Sequence, residues 1–286
     1  MSGLRTTFAR TRPPARAVLV AMISLLLVLL VSATADASKA DRKQDGPKPT
    51  IVLVHGAWAD SSSWSAVVRR LQHDGYTVTV PPNPLRSLPG DAAYISSFLH
   101  TITGPVVLVG HSYGGAVISN AALGNDNVKA LVFVNAFIPD QGESVQQLAG
   151  AQPGSALAVA DPSTVFKLVP YPGAPAGDFD AYILPSVFRT AFGNDLGSRT
   201  AAVLAATQRP ATLSALGTPS GPPAWKSIPS WALVGTLDRV LPPAEQQIMA
   251  TRARSHITRV KASHLSMVSR PGSVTDVITA AARATH

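Results

Sequence analysis

The sequence predicts an α/β domain whose mainly parallel sheet is flanked by helices and interrupted by an inserted helical cap. Two observations lead to this prediction. From residue 50 onward, short β-branched runs alternate with segments whose apolar residues recur at helical spacing, and this alternation is typical of a parallel sheet with crossover helices. The alternation stops over residues 138–229, a stretch too long to be a loop of a compact domain.

Six runs of residues are predicted to be strands. They cover residues 50–54, 76–80, 105–109, 128–134, 231–235 and 256–261. Several are nearly continuous runs of valine, isoleucine and leucine, as expected for parallel strands that are buried on both faces. Helices separate them along the chain, so the runs are expected to join one sheet.

Helices are predicted where apolar residues recur at positions i, i+3, i+4 and i+7. Asp60 offers an N-cap for the first helix and Gly75 a stop signal at its end. The helical sets begin at Trp64, Ile95 and Val274, and a helix rich in small residues is predicted over residues 113–123.

The stretch 138–229 is predicted to be a mostly helical cap. It holds many prolines and glycines and no clear strand. Its aromatic residues, among them Phe166, Phe188 and Phe192, allow two interpretations. They could line a pocket, or they could form a small core of the cap itself.

The composition excludes several classes of protein. Of the 286 residues, 46% are hydrophobic and 14% charged, the reverse of the balance in a disordered chain. The absence of cysteine excludes disulfides, thiolate metal sites and a cysteine nucleophile. The formal charge is +8 without a dense basic block, so nucleic acid is not an expected partner. No metal-binding, P-loop or dinucleotide motif is present, so no metal or cofactor is expected.

The first 37 residues are predicted to be a signal peptide. Four arginines precede an apolar run over residues 17–31, and Ala35 and Ala37 follow in a cleavage-site pattern. The run is shorter than the roughly 20 residues of a spanning helix, although an uncleaved membrane anchor is the alternative. The protein is therefore expected to be secreted or extracytoplasmic, without stable membrane insertion after cleavage. A flexible lead-in over residues 38–49 and the domain over residues 50–286 complete the predicted organisation.

A serine motif follows the third predicted strand. Residues 110–114 read Gly-His-Ser-Tyr-Gly, directly after a strand and directly before a helix. In that context the serine lies on a sharp, strained turn with its hydroxyl exposed, and the helix N-terminus faces the site. Ser112 is therefore the predicted nucleophile.

A serine nucleophile needs a base to remove its proton. His264 lies in the loop after the last predicted strand, where the fold suggested by this spacing places the base. Asp238, after strand 231–235, is the predicted acid, and Asp140 is the alternative. Either carboxylate would accept a hydrogen bond from the far imidazole nitrogen and fix its tautomer.

The backbone N–H groups of Tyr113 and Ala57 are the predicted oxyanion donors. Tyr113 follows the nucleophile, and Ala57 lies in the loop after the first strand, where Gly56 would let the backbone approach closely. Trp58, Phe137 and Leu265 are the candidate substrate-binding residues.

Four segments together resemble the α/β-hydrolase superfamily: residues 52–58, 107–115, 235–243 and 262–271. They are similar to small bacterial esterases related to plant methylesterases and hydroxynitrile lyases. The resemblance implies a Ser112–Asp238–His264 triad with Ala57 and Tyr113 as oxyanion donors. The lyases of that group carry a threonine at Gly56 and a lysine at Leu265, so both departures favour ester hydrolysis.

The expected function is therefore that of a secreted serine carboxylesterase acting on a small to medium apolar ester through an acyl-enzyme. The partner is a small-molecule ester. A lactonase, thioesterase or lyase reaction on the same triad is an alternative, as is a ligand-binding relative with low turnover. The oligomeric state is not predicted.

Overall fold

The computed structural model describes Gly3 and residues 47–285, and the strands of this part form two separate sheets. The strands are β1 (Thr50–Val54), β2 (Val78–Thr79), β3 (Val106–His111), β4 (Val128–Val134), β5 (Phe166–Val169), β6 (Asp180–Ile183), β7 (Ala211–Thr212), β8 (Ser230–Gly235) and β9 (His256–Val260). The larger sheet has six strands in the order β2-β1-β3-β4-β8-β9. All its neighbouring pairs are parallel, which confirms the predicted fold class.

The described part of the chain contains ten α-helices, four of them in the insertion over residues 138–229. They are α1 (Ser65–His73), α2 (Leu88–Leu99), α3 (Tyr113–Ala121), α4 (Val145–Ala149), α5 (Pro185–Val187), α6 (Ser198–Thr207), α7 (Leu213–Gly217), α8 (Pro243–Arg252), α9 (Ser266–Ser269) and α10 (Pro271–Arg283). Helix α10 contacts α1, β4 and β8, whereas α3 contacts α2, β3 and β4. The core lies between these helices and the sheet, and every residue of β3 and β8 is buried.

The parallel register brings the carboxyl ends of the central strands to one edge of the sheet. Val54 of β1 pairs with Gly110 of β3, and His111 of β3 pairs with Val134 of β4. Loops that leave these ends therefore meet at the same edge, which is where ligands bind in open parallel sheets. The segments that follow β1, β3, β4, β8 and β9 contain every residue of the predicted site.

Most element bounds follow the sequence pattern. Asp60 caps a short 3₁₀ turn at Ser61–Trp64 before α1, and Gly75 has the positive φ of 79° that favours glycine after a helix. The predicted strand 76–80 is shorter, Val78–Thr79, because β2 lies at the sheet edge and pairs only with β1. Helix α8 (Pro243–Arg252) was not predicted.

The insertion differs from the prediction in one respect. It contains short helices, as expected, but also the antiparallel sheet β5-β6-β7. Leu168 of β5 pairs with Ala181 of β6, and Ala181 pairs with Ala211 of β7. These strands are two to four residues long, too short to give the alternating pattern by which strands are recognised in a sequence.

The predicted signal peptide over residues 1–37 lies outside the described residues apart from Gly3, as does all of the lead-in except its last three residues. Within the described part of the chain, no helix has both the length and the apolarity needed to cross a bilayer. The signal peptide, its cleavage and the alternative of a membrane anchor remain predictions.

Candidate active site

Ser112 lies on a sharp turn between β3 and α3. Its φ is +53°, a value that side-chain-bearing residues rarely adopt and that indicates local strain. Glycines make the turn sterically possible, because a Cβ on Gly114 would lie 2.6 Å from the carbonyl oxygen of Val54. The Ser112 carbonyl accepts hydrogen bonds from the amides of Gly115 (2.9 Å) and Phe137 (3.1 Å), which fix the turn against the loop after β4.

The structure brings Ser112, His264 and Asp238 into one line of hydrogen bonds. The Ser112 hydroxyl donates to His264 Nε2 at 2.8 Å, and His264 Nδ1 donates to Asp238 Oδ2 at 2.7 Å. The side chains of His264 and Asp238 are fully buried. In this tautomer Nε2 is free to accept a proton, as a general base requires.

Asp140 lies elsewhere. Its carboxylate pairs with Lys226 Nζ at 2.5 Å, and this hydrogen bond holds the pKa of Asp140 below its usual range. Its side chain is 32% exposed, and no hydrogen bond among the described residues joins it to His264. Of the two candidate acids, the structure places only Asp238 beside the imidazole.

Four further donors surround the Asp238 carboxylate. Oδ1 accepts from the backbone amides of Val240 (2.8 Å) and Leu241 (3.0 Å). Oδ2 accepts from Asn135 Nδ2 (3.0 Å) and Gln246 Nε2 (2.8 Å). Because a carboxylate with both oxygens accepting is the form that can orient an imidazolium, this shell prepares Asp238 for that role.

The sequence interpretation missed Asn135 and Gln246. Asn135 follows β4 directly and has a φ of +45°, and an asparagine at a strand end is a signal for such a turn. Gln246 lies on α8, which was not predicted, so no sequence pattern pointed to it. Both side chains are buried.

The two predicted oxyanion donors lie at the same cavity as Ser112. The cavity is lined by Ala57 and Tyr113 as well as by Ser112. A Cβ on Gly56 would lie 2.6 Å from the Cβ of Ser112, so in this structure the glycine allows the close approach of the loop to the serine turn. Among the described residues, neither the Ala57 nor the Tyr113 amide donates to another protein group.

The Tyr113 side chain anchors the turn on its far side. Its hydroxyl donates to Asp91 Oδ2 at 2.7 Å, and Asp91 Oδ1 accepts from the Arg86 amide at 3.1 Å. Burial raises the pKa of Asp91, and burial together with the neighbouring carboxylate raises the pKa of Tyr113 well above its usual value. The residue after Ser112 is thus held through its side chain, at the first residue of α3.

An apolar cavity of about 350 Å³ opens at Ser112. Trp58 and Phe137, two of the three candidate substrate-binding residues, line it together with residues of the insertion. The insertion contributes Val145, Gln146, Ala149, Leu157, Ala158, Val159, Pro162, Phe166, Leu213 and Leu216. None of the lining side chains carries a formal charge at neutral pH.

Leu265 corrects the sequence interpretation. It is 1% exposed and belongs to the hydrophobic core, and it is not among the residues that line the cavity. Its position after His264 suggested a substrate contact, but its apolar side chain is turned into the core. Two of the three aromatic residues singled out in the cap, Phe188 and Phe192, are fully buried, and only Phe166 lines the cavity.

Trp58 connects the first loop to the insertion. Its indole N–H donates to the carbonyl of Ala181 in β6 at 2.8 Å, and its ring stacks on Phe166 with centroids 5.5 Å apart. Its φ of +58° adds a second strained residue beside the site. Strained backbone of this kind persists only where the surrounding structure holds it.

Two buried histidines flank the serine turn and are hydrogen-bonded within the protein. His55 Nδ1 donates to the Gly56 carbonyl at 2.9 Å, and its Nε2 accepts from the Asn83 amide at 3.0 Å. His111 Nε2 donates to the His264 carbonyl at 2.9 Å. Burial lowers the pKa of His55 to about 4 and that of His111 well below its usual value. No cluster suited to a metal ion occurs in the described residues.

The lowered pKa of His55 predicts that the protein loses folding stability in mild acid. The folded protein keeps His55 neutral down to about pH 4, whereas the unfolded chain binds the proton near pH 6.5. The contribution of His55 is therefore complete above pH 6.5 and is lost as the pH falls toward 4, with about 3 kcal/mol lost at pH 4.

Chemical unfolding between pH 7 and 4 measures this effect. The His55→Gln variant is expected to lose less stability over that range than the wild type. The exposed His73 provides the control, since His73→Gln should follow the wild-type curve. Equal slopes for wild type and His55→Gln would contradict the explanation.

Comparison with known proteins agrees with the fold. The model of the alpha/beta hydrolase family matches residues 51–277. The chain belongs to the alpha/beta hydrolase family. The resemblance to the α/β-hydrolase superfamily, noted from the four sequence segments, is thereby confirmed.

Two relatives of known activity match part of the chain. A carbendazim hydrolyzing esterase of Nocardioides sp. (strain SG-4G) is 31% identical over 110 residues, 34% of this chain and 46% of the relative. An alpha-hydroxynitrile lyase of Arabidopsis thaliana is 32% identical over 107 residues, 32% of this chain and 42% of the relative. The matches thus span less than half the length of either relative.

A solved structure extends the similarity to the whole domain. Polyneuridine aldehyde esterase superposes with a TM-score of 0.69 over 82% of this chain and 99% of the other, at 18% sequence identity. At that identity the superposition shows a shared fold. The activity of this protein has to be inferred from the geometry of its own site.

Proposed function

We propose that this protein is a serine hydrolase that cleaves uncharged, small to medium apolar carboxylic esters through an acyl-enzyme. The observation that carries the proposal is the buried hydrogen-bond line from Asp238 through His264 to Ser112, which lines an apolar cavity. The esterase among the relatives supports the same class of reaction.

In the first step Ser112 Oγ attacks the ester carbonyl and its proton passes to His264 Nε2. The carbonyl π electrons move to oxygen, and the tetrahedral intermediate collapses when Nε2 returns the proton to the leaving alcohol. Asp238 holds the imidazole by Nδ1 and stabilises the imidazolium. Water then attacks the acyl-serine by the same sequence, which releases the acid and restores Ser112.

The oxyanion receives its stabilisation from backbone dipoles. The amides of Ala57 and Tyr113 are the proposed donors, and the amino end of α3 adds a partial positive charge at Ser112. A single donor of this kind contributes about 10²- to 10³-fold to kcat in enzymes of this type. Because Gly56 and the Tyr113–Asp91 hydrogen bond fix these two segments, the donors are placed before substrate arrives.

The cavity supports an apolar, uncharged substrate. Among its lining residues the polar side chains are Ser112, Tyr113, Gln146 and the indole of Trp58. A charged acid or amine would lose its hydration there without gaining a counter-ion, which is unfavourable by several kcal/mol. The acyl or alcohol part that enters is therefore expected to be neutral.

Labelling followed by an ester panel tests the proposal. A fluorophosphonate should modify Ser112 alone, as located by peptide mass spectrometry. A series of p-nitrophenyl esters that differ in acyl length should then show turnover. Labelling without turnover of any ester would favour the alternative of a ligand-binding relative, whereas absence of labelling would remove Ser112 as an activated nucleophile.

A lyase reaction is the alternative that the Arabidopsis relative raises. Cyanohydrin cleavage requires a proton donor for the leaving cyanide, and the group of lyases that the sequence resembles carries a lysine after the base. Here that residue is Leu265, which lies in the core. Mandelonitrile is accordingly expected to release no cyanide above the rate in buffer, and a Ser112-dependent release would replace the esterase proposal.

The size of the cavity leads to a prediction on the acyl-chain length of the ester substrate. Leu157 lies on the insertion and lines the cavity. The Leu157→Trp variant should fill part of the roughly 350 Å³ and lower kcat/KM for a long acyl ester by about tenfold or more, because even one methylene changes discrimination by 10- to 200-fold. Hydrolysis of p-nitrophenyl acetate should change by less than about threefold, and an equal loss for both esters would contradict this use of the cavity.

We also propose that the chain is exported and that its signal peptide is removed after Ala35 or Ala37, in keeping with the arginine-led apolar run and the small residues after it. N-terminal sequencing of the protein in the extracytoplasmic fraction tests this proposal. An intact N-terminus in the membrane fraction would favour the anchor instead.

A further inference from the structure

We propose that Asn135 is a positioning residue that holds Asp238 and the loop carrying His264 in their catalytic arrangement. This inference rests on the proposed function and deepens it. Asn135 does not face the cavity, so its effect would act entirely through the acid and the base.

The side-chain amide of Asn135 bridges two segments that are far apart in sequence. Its Nδ2 donates to Asp238 Oδ2 at 3.0 Å and to the carbonyl of Ser263 at 3.2 Å. Ser263 immediately precedes His264, so one NH2 group binds both the acid and the backbone next to the base. An NH2 group has two N–H bonds and can make both contacts at once.

The backbone around Asn135 is built for this bridge. The φ of +45° at Asn135 is one that asparagine tolerates better than most residues. The backbone amide of Asn135 donates to the carbonyl of Leu233 in β8 at 2.9 Å. Opposite it, Gly235 ends β8, and a Cβ at that position would overlap Asn135 Nδ2. Glycine at 235 therefore leaves the room that the Asn135 side chain occupies.

Gln246 has a more local role at the same oxygen. Its Nε2 donates to Asp238 Oδ2 and to the Leu241 carbonyl, each at 2.8 Å, and its Oε1 accepts from the Gly235 amide at 3.3 Å. All these partners belong to the β8–α8 segment. Gln246 therefore shapes the acid's own loop, whereas Asn135 ties that loop to the one that carries His264.

Loss of the bridge should affect the chemical step rather than substrate binding. Misplacement of a catalytic group by about 1 Å can lower the rate about 10²-fold. Since Asn135 contacts neither the cavity nor the serine turn's oxyanion donors, the KM for an ester should change little. That division between kcat and KM distinguishes a positioning role from a role in substrate binding. The fraction of folded protein is determined separately, because its loss would also lower the apparent kcat at constant KM.

The test uses two variants of Asn135 and one matched control. Asn135→Gly removes the amide and keeps a residue that accepts the positive φ, and Asn135→Asp keeps the shape while replacing the donor by a carboxylate. The control is Asn125→Ala, because Asn125 is also buried and its amide also donates two hydrogen bonds, to Ala121 O and Ser96 Oγ, away from the cavity. Thermal unfolding establishes that each protein is folded at the assay temperature.

Both Asn135 variants are expected to lose about 100-fold in kcat for a p-nitrophenyl ester, with KM within threefold of wild type. Asn125→Ala should keep kcat within threefold. If one Asn135 variant does not fold, the other carries the test. A kcat within threefold of wild type in a folded Asn135 variant, or an equal loss in Asn125→Ala, would overturn the proposal.

A spectroscopic measurement separates this inference from the proposed function. The proton shared by His264 Nδ1 and Asp238 should give a downfield proton NMR resonance that is absent from His264→Ala. In Asn135→Gly that resonance should shift or broaden, and in Asn125→Ala it should stay unchanged. An unchanged resonance in Asn135→Gly refutes the positioning role, whereas absence of ester turnover in the wild type refutes the proposed esterase function alone.

Discussion

The Ser112→Ala variant is expected to lose about 10⁴-fold or more of the wild-type kcat for p-nitrophenyl acetate. The methyl group cannot attack the carbonyl, and His264 then has no proton to accept from it. Serine hydrolases that lose the nucleophile keep only the part of the rate enhancement that comes from binding and the oxyanion donors. Initial rates at saturating ester measure the change, and thermal unfolding establishes that both proteins are folded at the assay temperature.

Ser119→Ala provides the matched control for this prediction. Ser119 lies seven residues further along, on α3, is also buried, and its hydroxyl donates to the Gly115 carbonyl of its own helix at 2.8 Å. Its loss should leave kcat within about threefold, because the hydroxyl does not reach the cavity. Equal rates for wild type and Ser112→Ala would remove Ser112 from the mechanism.

The second large effect is expected for Asp238→Asn, which should lower kcat by about 10⁴-fold. Both carboxylate oxygens accept hydrogen bonds in the structure, from Val240 and Leu241 on one side and from Asn135 and Gln246 on the other. An asparagine at position 238 has one oxygen and one NH2 group in place of the two carboxylate oxygens. In either orientation of its amide, the NH2 group points at hydrogen-bond donors and cannot accept from them. The substituted side chain can no longer hold His264 in the tautomer that leaves Nε2 free.

Asp140→Asn is the comparison that decides between the two acids. Asp140 pairs with Lys226, on a partly exposed surface where such pairs contribute about 1 kcal/mol or less to stability. Its amide variant should keep kcat within about threefold. A larger loss in Asp140→Asn than in Asp238→Asn would reassign the acid.

Several features of the site follow from short stretches of sequence. The strand of residues 106–111, the serine turn and the helix at 113–121 are adjacent along the chain, so local pattern and glycine spacing suffice to predict them. The same holds for the loop at Gly56 and Ala57 after β1. Burial of the β-branched runs then determines a parallel sheet, because only a sheet covered on both faces buries such strands.

Other features have no local signal. The strands of the insertion are only two to four residues long, and they form because Ala181 and its neighbours find partners distant in sequence. Leu265 is adjacent to His264 in sequence, yet its side chain lies in the core rather than at the cavity. Residues that are adjacent in a loop can point their side chains to different sides. Adjacency to His264 alone therefore led to the wrong assignment of Leu265.

The sequence by itself predicted the family, the serine turn, His264 as the candidate base and the two candidate acids. Each of these is encoded in a contiguous segment whose conformation depends mainly on its own residues. Only the tertiary structure decided which carboxylate meets the imidazole, and it alone placed Asn135 and Gln246 around Asp238. Those contacts join β4, β8 and the loop after β9, and their geometry arises from strand order and register, which no single segment of the chain specifies.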